Sequence, residues 1–205
     1  PISPKQIIVG VQNFHDKNDT DFEVTIEEKP LTTYNVWLDP QTRDFLQLAL
    51  VFSQTCGFEA ANPSGRLISS PDKEFKIKYF PIIKDYLSGR SLSTPARIAH
   101  KSWIIEVSKM RFDKYTIPMR MMILLHEYSH KYKNPTMGLP ISDEIGADIN
   151  ALYIYLGMGF SKVDAIYVYA NVFLNAQTDQ NIARMRKIVD YINKFSNEEF
   201  ATKQI

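Results

Sequence analysis

The pentapeptide His126-Glu127-Tyr128-Ser129-His130 constrains this chain more than any other stretch, because it sets two imidazoles four residues apart around a carboxylate. An α-helix turns once every ~3.6 residues, so positions i and i+4 share a face and both rings can reach one metal ion. Glu127, beside the first ring, can hold a water at that ion and serve as its general base. Only four histidines occur in the chain, at 15, 100, 126 and 130, and two of them fall in this motif. His15 and His100 carry no such pattern and read as ordinary polar residues.

The motif functions only on a helix, and its flanks predict one at about 117–132. Thr116 is a suitable N-cap, and Pro118 fits a first turn, where its missing N–H is not needed. Met, Leu, Arg and Glu then favour helix, with no glycine to interrupt them. Asn134-Pro135 ends the run, since the residue before proline is driven out of the α region. The helix is mostly apolar and expected to be buried. Its His, Glu and His therefore need a partner, and a metal supplies one.

Two histidines leave a zinc site incomplete, because a catalytic site takes three protein ligands and keeps one position for water. Fourteen residues beyond His130 lies Glu144, within Ser142-Asp143-Glu144-Ile145-Gly146-Ala147-Asp148. Ser142 can cap a second helix with acidic residues in its first turn, as the helix dipole favours. Glu144 is the first candidate for the third ligand, though Asp143 or Asp148 could take its place. Asp148 also suits the task of accepting the second N–H of a ligating histidine. Pro135, Gly138 and Pro140 let the loop 133–141 fold the chain back, so that the two helices can pack together.

These residues resemble the zincin metallopeptidases, in the branch whose third ligand is a glutamate on a following helix. The likeness rests on His126, Glu127 and His130, then on Glu144 and Asp148 in a Glu-x-x-Ala-Asp arrangement, and spans about 97–158. It implies zinc held by His126, His130 and Glu144, with Glu127 as base and Asp148 orienting a histidine. It also implies a peptide or protein substrate laid along an edge strand before the active-site helix, here Ser102–Val107. The spacing from His130 to Glu144 is shorter than in thermolysin-like enzymes. The metzincin pattern is absent, since no third histidine follows.

Elsewhere, Ser102–Val107 reads as a strand with Trp103, Ile105 and Val107 on one face, preceded by a short helix or turn near 95–100. Strands are expected over Gln6–Phe14, Phe22–Glu28 and Thr32–Leu38, and a helix from Pro40 to Phe52. Gly57–Pro71 reads as loop, and Pro81 argues against a central strand in Lys76–Tyr86. Ser161 opens a helix to about Leu174 and Asp179 another to about Phe195. Tyr153 and Tyr155 read as core aromatics. Strands first and helices later predict an α+β, zincin-like single domain over 1–205, strand-rich over 1–90, with a metal core over 97–158 and a helical region over 161–196.

Composition closes off other classes. Apolar content of 44 % and charged content of 23 % are those of a globular domain. With 24 basic and 23 acidic residues, nothing invites nucleic acid or an anionic membrane surface. Cys56 stands alone, so neither an intrachain disulfide nor a thiolate metal cluster is expected. With no signal-peptide core in Pro1–Lys5 and no membrane-length apolar run, a cytoplasmic setting is favoured. A start at Pro1 suggests that at least an initiator was removed. The expected function is a zinc-dependent metallopeptidase. Two alternatives stand beside it: a zincin-fold binding or structural protein in a larger assembly, and a zinc hydrolase of a non-peptide bond.

Overall fold

The computed structural model describes residues 38–99, 101–132, 144–174 and 176–196, all within one compact unit. Helix α1 (Pro40–Thr55) starts where Asp39 accepts the Thr42 amide and Pro40 occupies the first turn. Phe45, Leu46, Leu48, Ala49 and Phe52 form its buried stripe. The Lys109 ammonium donates to the carbonyls of Cys56, Gly57 and Glu59, satisfying groups that the end of α1 leaves open.

Four strands follow: β1 (Arg66–Ser69), β2 (Lys76–Phe80), β3 (Ala96–Ala99) and β4 (Ile104–Ser108). They form one mixed sheet in the order β1-β2-β4-β3, with β2 and β4 parallel and the outer pairs antiparallel. Ile77, Tyr79, Ala96, Ile98, Ile105 and Val107 join the core, and in β4 Glu106 and Ser108 are buried beside them. After β4 come α2 (Lys109–Phe112), α3 (Ile117–Lys131), α4 (Glu144–Gly157), α5 (Lys162–Val168), a π-helical turn (Tyr169–Phe173) and α6 (Asp179–Ser196). Strands concentrated before residue 109 and helices concentrated after it make this an α+β fold. Among the described residues, no helix is long and apolar enough to cross a membrane.

Helix α3 is the axis of the molecule. Thr116 caps it, and every residue from Met121 to Ser129 is buried. Phe45 of α1 stacks on Tyr128 with ring centroids 4.1 Å apart, and the Arg120 guanidinium donates to the Ser53, Phe112 and Asp113 carbonyls. Asn150 of α4 donates to the Ser129 hydroxyl at 2.8 Å and to the Tyr132 carbonyl at 3.2 Å. The histidine helix is thus pinned to α1, α2 and α4.

Several expectations need correction. Residues 96–99 are strand β3, not a short helix or turn. Among the described residues β3 is the sheet edge beside α3, whereas β4 is paired on both sides and so cannot be the substrate-binding edge. Trp103 does not share the β4 face; it lies before the strand at φ 55° and is 40 % exposed. Gly57–Pro71 is not loop throughout, since β1 forms within it by pairing with β2. β2 is paired on both sides and stops at Phe80, immediately before Pro81. The helix begun by Ser161 is regular only to Val168, then widens into the π turn. His15, His100, Ser142, Asp143, the loop 133–141 and the strands expected before Leu38 lie outside the described residues.

Candidate metal centre

One helical turn of α3 brings the Nε2 atoms of His126 and His130 to 3.2 Å from each other, with ring planes at 90°. Glu144, at the start of α4, completes the group. Its Oε2 lies 3.7 Å from His126 Nε2 and its Oε1 3.6 Å from His130 Nε2. With one ligand atom taken from each residue, the three donors lie within 4.8 Å of one another, a group that could close around one ion. The residues fit a metal.

The second nitrogen of His126 makes the same case. Nδ1 lies 3.0 Å from Asp148 Oδ1, off the ideal N–H line, so the carboxylate faces one ring nitrogen while the other faces the donor group. Burial alone would lower the His126 pKa, but Asp148, with Glu127 and Glu144, outweighs it and raises the value. Burial also works against ionisation of Asp148, and there His126 and Arg184 win, holding its pKa below 3.8.

Arg184 of α6 was not anticipated. Its Nε donates to Asp148 Oδ2 at 2.8 Å and its Nη2 to Asp148 Oδ1 at 2.9 Å. The same Nη2 lies 3.0 Å from Glu144 Oε2. Among the described residues, and with neutral imidazoles, three carboxylates (Glu127, Glu144 and Asp148) face one guanidinium, a formal excess of two negative charges that a divalent cation would balance.

Glu127 faces the sheet. Its Oε2 accepts the Ile98 amide of β3 at 2.7 Å. The geometry follows from the ladder: the Ser108 amide donates to Pro95, so Arg97 is the next residue bonded to β4 and Ile98 turns its amide away from β4. The π turn supplies the remaining wall. The Phe173 ring lies 4.0 Å from the His126 ring, and the Tyr169 hydroxyl donates to the Asp148 carbonyl at 2.8 Å. His126, Glu127 and Asp148 are buried, while the Glu144 side chain is 45 % exposed, so the donor group opens to solvent on that side. Tyr153 and Tyr155 lie in the hydrophobic core, as expected.

No protein-family model, curated protein or solved structure matches this chain. The structure brings His126, His130, Glu144 and Asp148 together, with Glu127 beside them on α3. A sequence signal for Arg184 existed as well: it is the one charged residue on the α6 stripe that continues through Ile188, Ile192 and Phe195.

Proposed function

We propose that this protein is a zinc-dependent hydrolase of the zincin type, cleaving peptide bonds. The observation that carries the reading is the convergence of His126, His130 and Glu144 on one point beside the buried carboxylate of Glu127. Two imidazoles and one carboxylate suit zinc among the divalent ions. When bound, such an ion supplies a Lewis acid that polarises a carbonyl and acidifies water.

The chain's own groups do the rest. Glu127 takes the proton of the attacking water and returns it to the leaving amine. Asp148 holds the His126 ring with Nε2 toward the donors. An extended peptide pairs with the side of β3 turned away from β4, beginning at the Ile98 amide that now meets Glu127. Substrate and base therefore share one backbone donor. The lone, buried Cys56 thiol accords with a reducing compartment such as the cytoplasm.

The Ile98–Glu127 hydrogen bond also favours a second reading, a metal-binding protein without turnover, because it gives Glu127 a structural task in tying α3 to the sheet. Glu127→Gln separates the two. Glutamine keeps an acceptor for the Ile98 amide but cannot act as a base. Zinc content and unfolding midpoint should stay near wild type, while hydrolysis falls by about 10²–10⁴-fold. A purified variant that hydrolyses as fast as wild type would exclude Glu127 as base. Parallel assays on peptide and ester substrates distinguish a peptidase from a hydrolase of other bonds.

A further inference from the structure

We propose that Arg184 is the positioning residue that holds Glu144 as the third metal ligand, making metal retention depend on helix α6. The inference rests on the metal reading above and goes beyond it, since Arg184 belongs to neither the histidine motif nor the Glu-x-x-Ala-Asp segment.

The two histidines are fixed by their own helix. Both project from α3, which is buried along nine consecutive residues, and His126 is further held between Asp148 and Phe173. Glu144 stands differently. It occupies the first position of α4, its side chain is 45 % exposed, and a glutamate has three side-chain torsions to order before it can ligate. The guanidinium removes that freedom. Arg184 is anchored on the buried Asp148 by two donors, through Nε at 2.8 Å and Nη2 at 2.9 Å. The same Nη2 lies 3.0 Å from Glu144 Oε2, an ion pair that draws the carboxylate to the guanidinium. One rigid fork thereby fixes the separation of two carboxylates, one that orients His126 and one that completes the donor set. Glu144 Oε1 stays turned toward His130 Nε2, 3.6 Å away.

Lysine in place of arginine keeps the positive charge but offers a point donor instead of a fork, so it cannot span both carboxylates. The test measures zinc dissociation constants by competition with a chromophoric chelator, on full-length wild type, Arg184→Lys, Glu144→Gln and the double variant. Cobalt(II) absorption on the same proteins reports coordination geometry, and chelator-treated samples report the stability of the fold. Arg184→Lys should weaken zinc binding about 10–100-fold and alter the cobalt spectrum, with the metal-free unfolding midpoint little changed. In the Glu144→Gln background the same change should cost less than threefold, because the group that Arg184 positions is already gone.

Equal zinc affinity in wild type and Arg184→Lys would reduce Arg184 to a salt bridge of the fold and overturn the inference. Equal losses in both backgrounds would also overturn it, since Arg184 would then act through Asp148 and His126 alone. If Arg184→Lys does not fold, Arg184→Gln, which leaves Asp148 and a hydrogen-bond donor for it in place, is used in the same cycle with the same two readings. Wild type that binds no zinc or cobalt would sink the metal reading itself, and this inference with it.

Discussion

Asp148 joins three elements of the molecule through one side chain and its carbonyl. Its oxygens meet His126 of α3 and Arg184 of α6, and its backbone carbonyl accepts the Tyr169 hydroxyl from the π turn. These ties differ in kind. Removing the Tyr169 hydroxyl deletes a neutral bond to a carbonyl that already sits in a helix, so Tyr169→Phe should cost about 1 kcal/mol. Asp148→Asn instead leaves the Arg184 charge buried with only half-exposed Glu144 to balance it, a loss of about 3 kcal/mol. Urea unfolding of the two variants checks this order, and equal costs would show that Arg184 is satisfied without Asp148. The raised His126 pKa and the depressed Asp148 pKa share the same cause, each group being the other's partner inside a buried pair.

At the scale of elements, the start of α1 is tied by three hydrogen bonds to one side chain. Asp39 accepts the Thr42 amide at 2.9 Å, the Thr42 hydroxyl at 2.7 Å and the Tyr132 hydroxyl at 2.7 Å, joining the cap of α1 to the end of α3. Burial pushes the Asp39 pKa up, but those hydrogen bonds prevail and hold it below 3.8. A depressed carboxylate pKa contributes stability that is present above the unfolded value near 3.8 and lost as pH falls through the lower folded value. Asp39→Ala should therefore cost about 1–2 kcal/mol at neutral pH, and the gap from wild type should close on acidification below about pH 3.8. A gap that persists unchanged at pH 2 would refute the cap as its source. The same element shows why helices were legible and strands were not. α1 and α3 announce themselves by a capping side chain, a proline in the first turn and apolar periodicity. β3 is four residues, Ala-Arg-Ile-Ala, with one β-branched side chain, and becomes a strand only because β4 pairs with it. β1 is exposed at three of its four positions and has no alternation to detect. Position in the sheet is likewise a long-range property, which is why Ser102–Val107 suggested an edge while the edge among the described residues is formed by Ala96–Ala99. Arg184 lies 36 residues from Asp148, and a single arginine on an amphipathic helix looks like solvated surface until its stripe is traced.

On the scale of the whole molecule, the donor group sits where several elements meet. α3 runs through the core, α4 packs along it, α6 reaches in with Arg184, and β3 touches Glu127, so four elements converge on a group with excess negative charge. Without a cation, the folded state holds these carboxylates close together; unfolding releases them to solvent. A divalent ion reverses that balance by binding only where all three donors meet, so metal affinity and global stability are one linked quantity. Zinc at about 100 times its dissociation constant should stabilise the chain by roughly 2.7 kcal/mol, which for a protein of this size raises the unfolding midpoint by about 5–10 °C. Chelator should return the midpoint to its starting value. His130→Ala is the appropriate control, because His130 is less buried than His126 and its loss removes a donor without emptying the centre of the core. The variant should bind little zinc and show almost no thermal shift under the same conditions. A shift of equal size in His130→Ala would mean that zinc stabilises the protein elsewhere, and no shift in wild type at saturating zinc would mean that the three donors do not form a metal site.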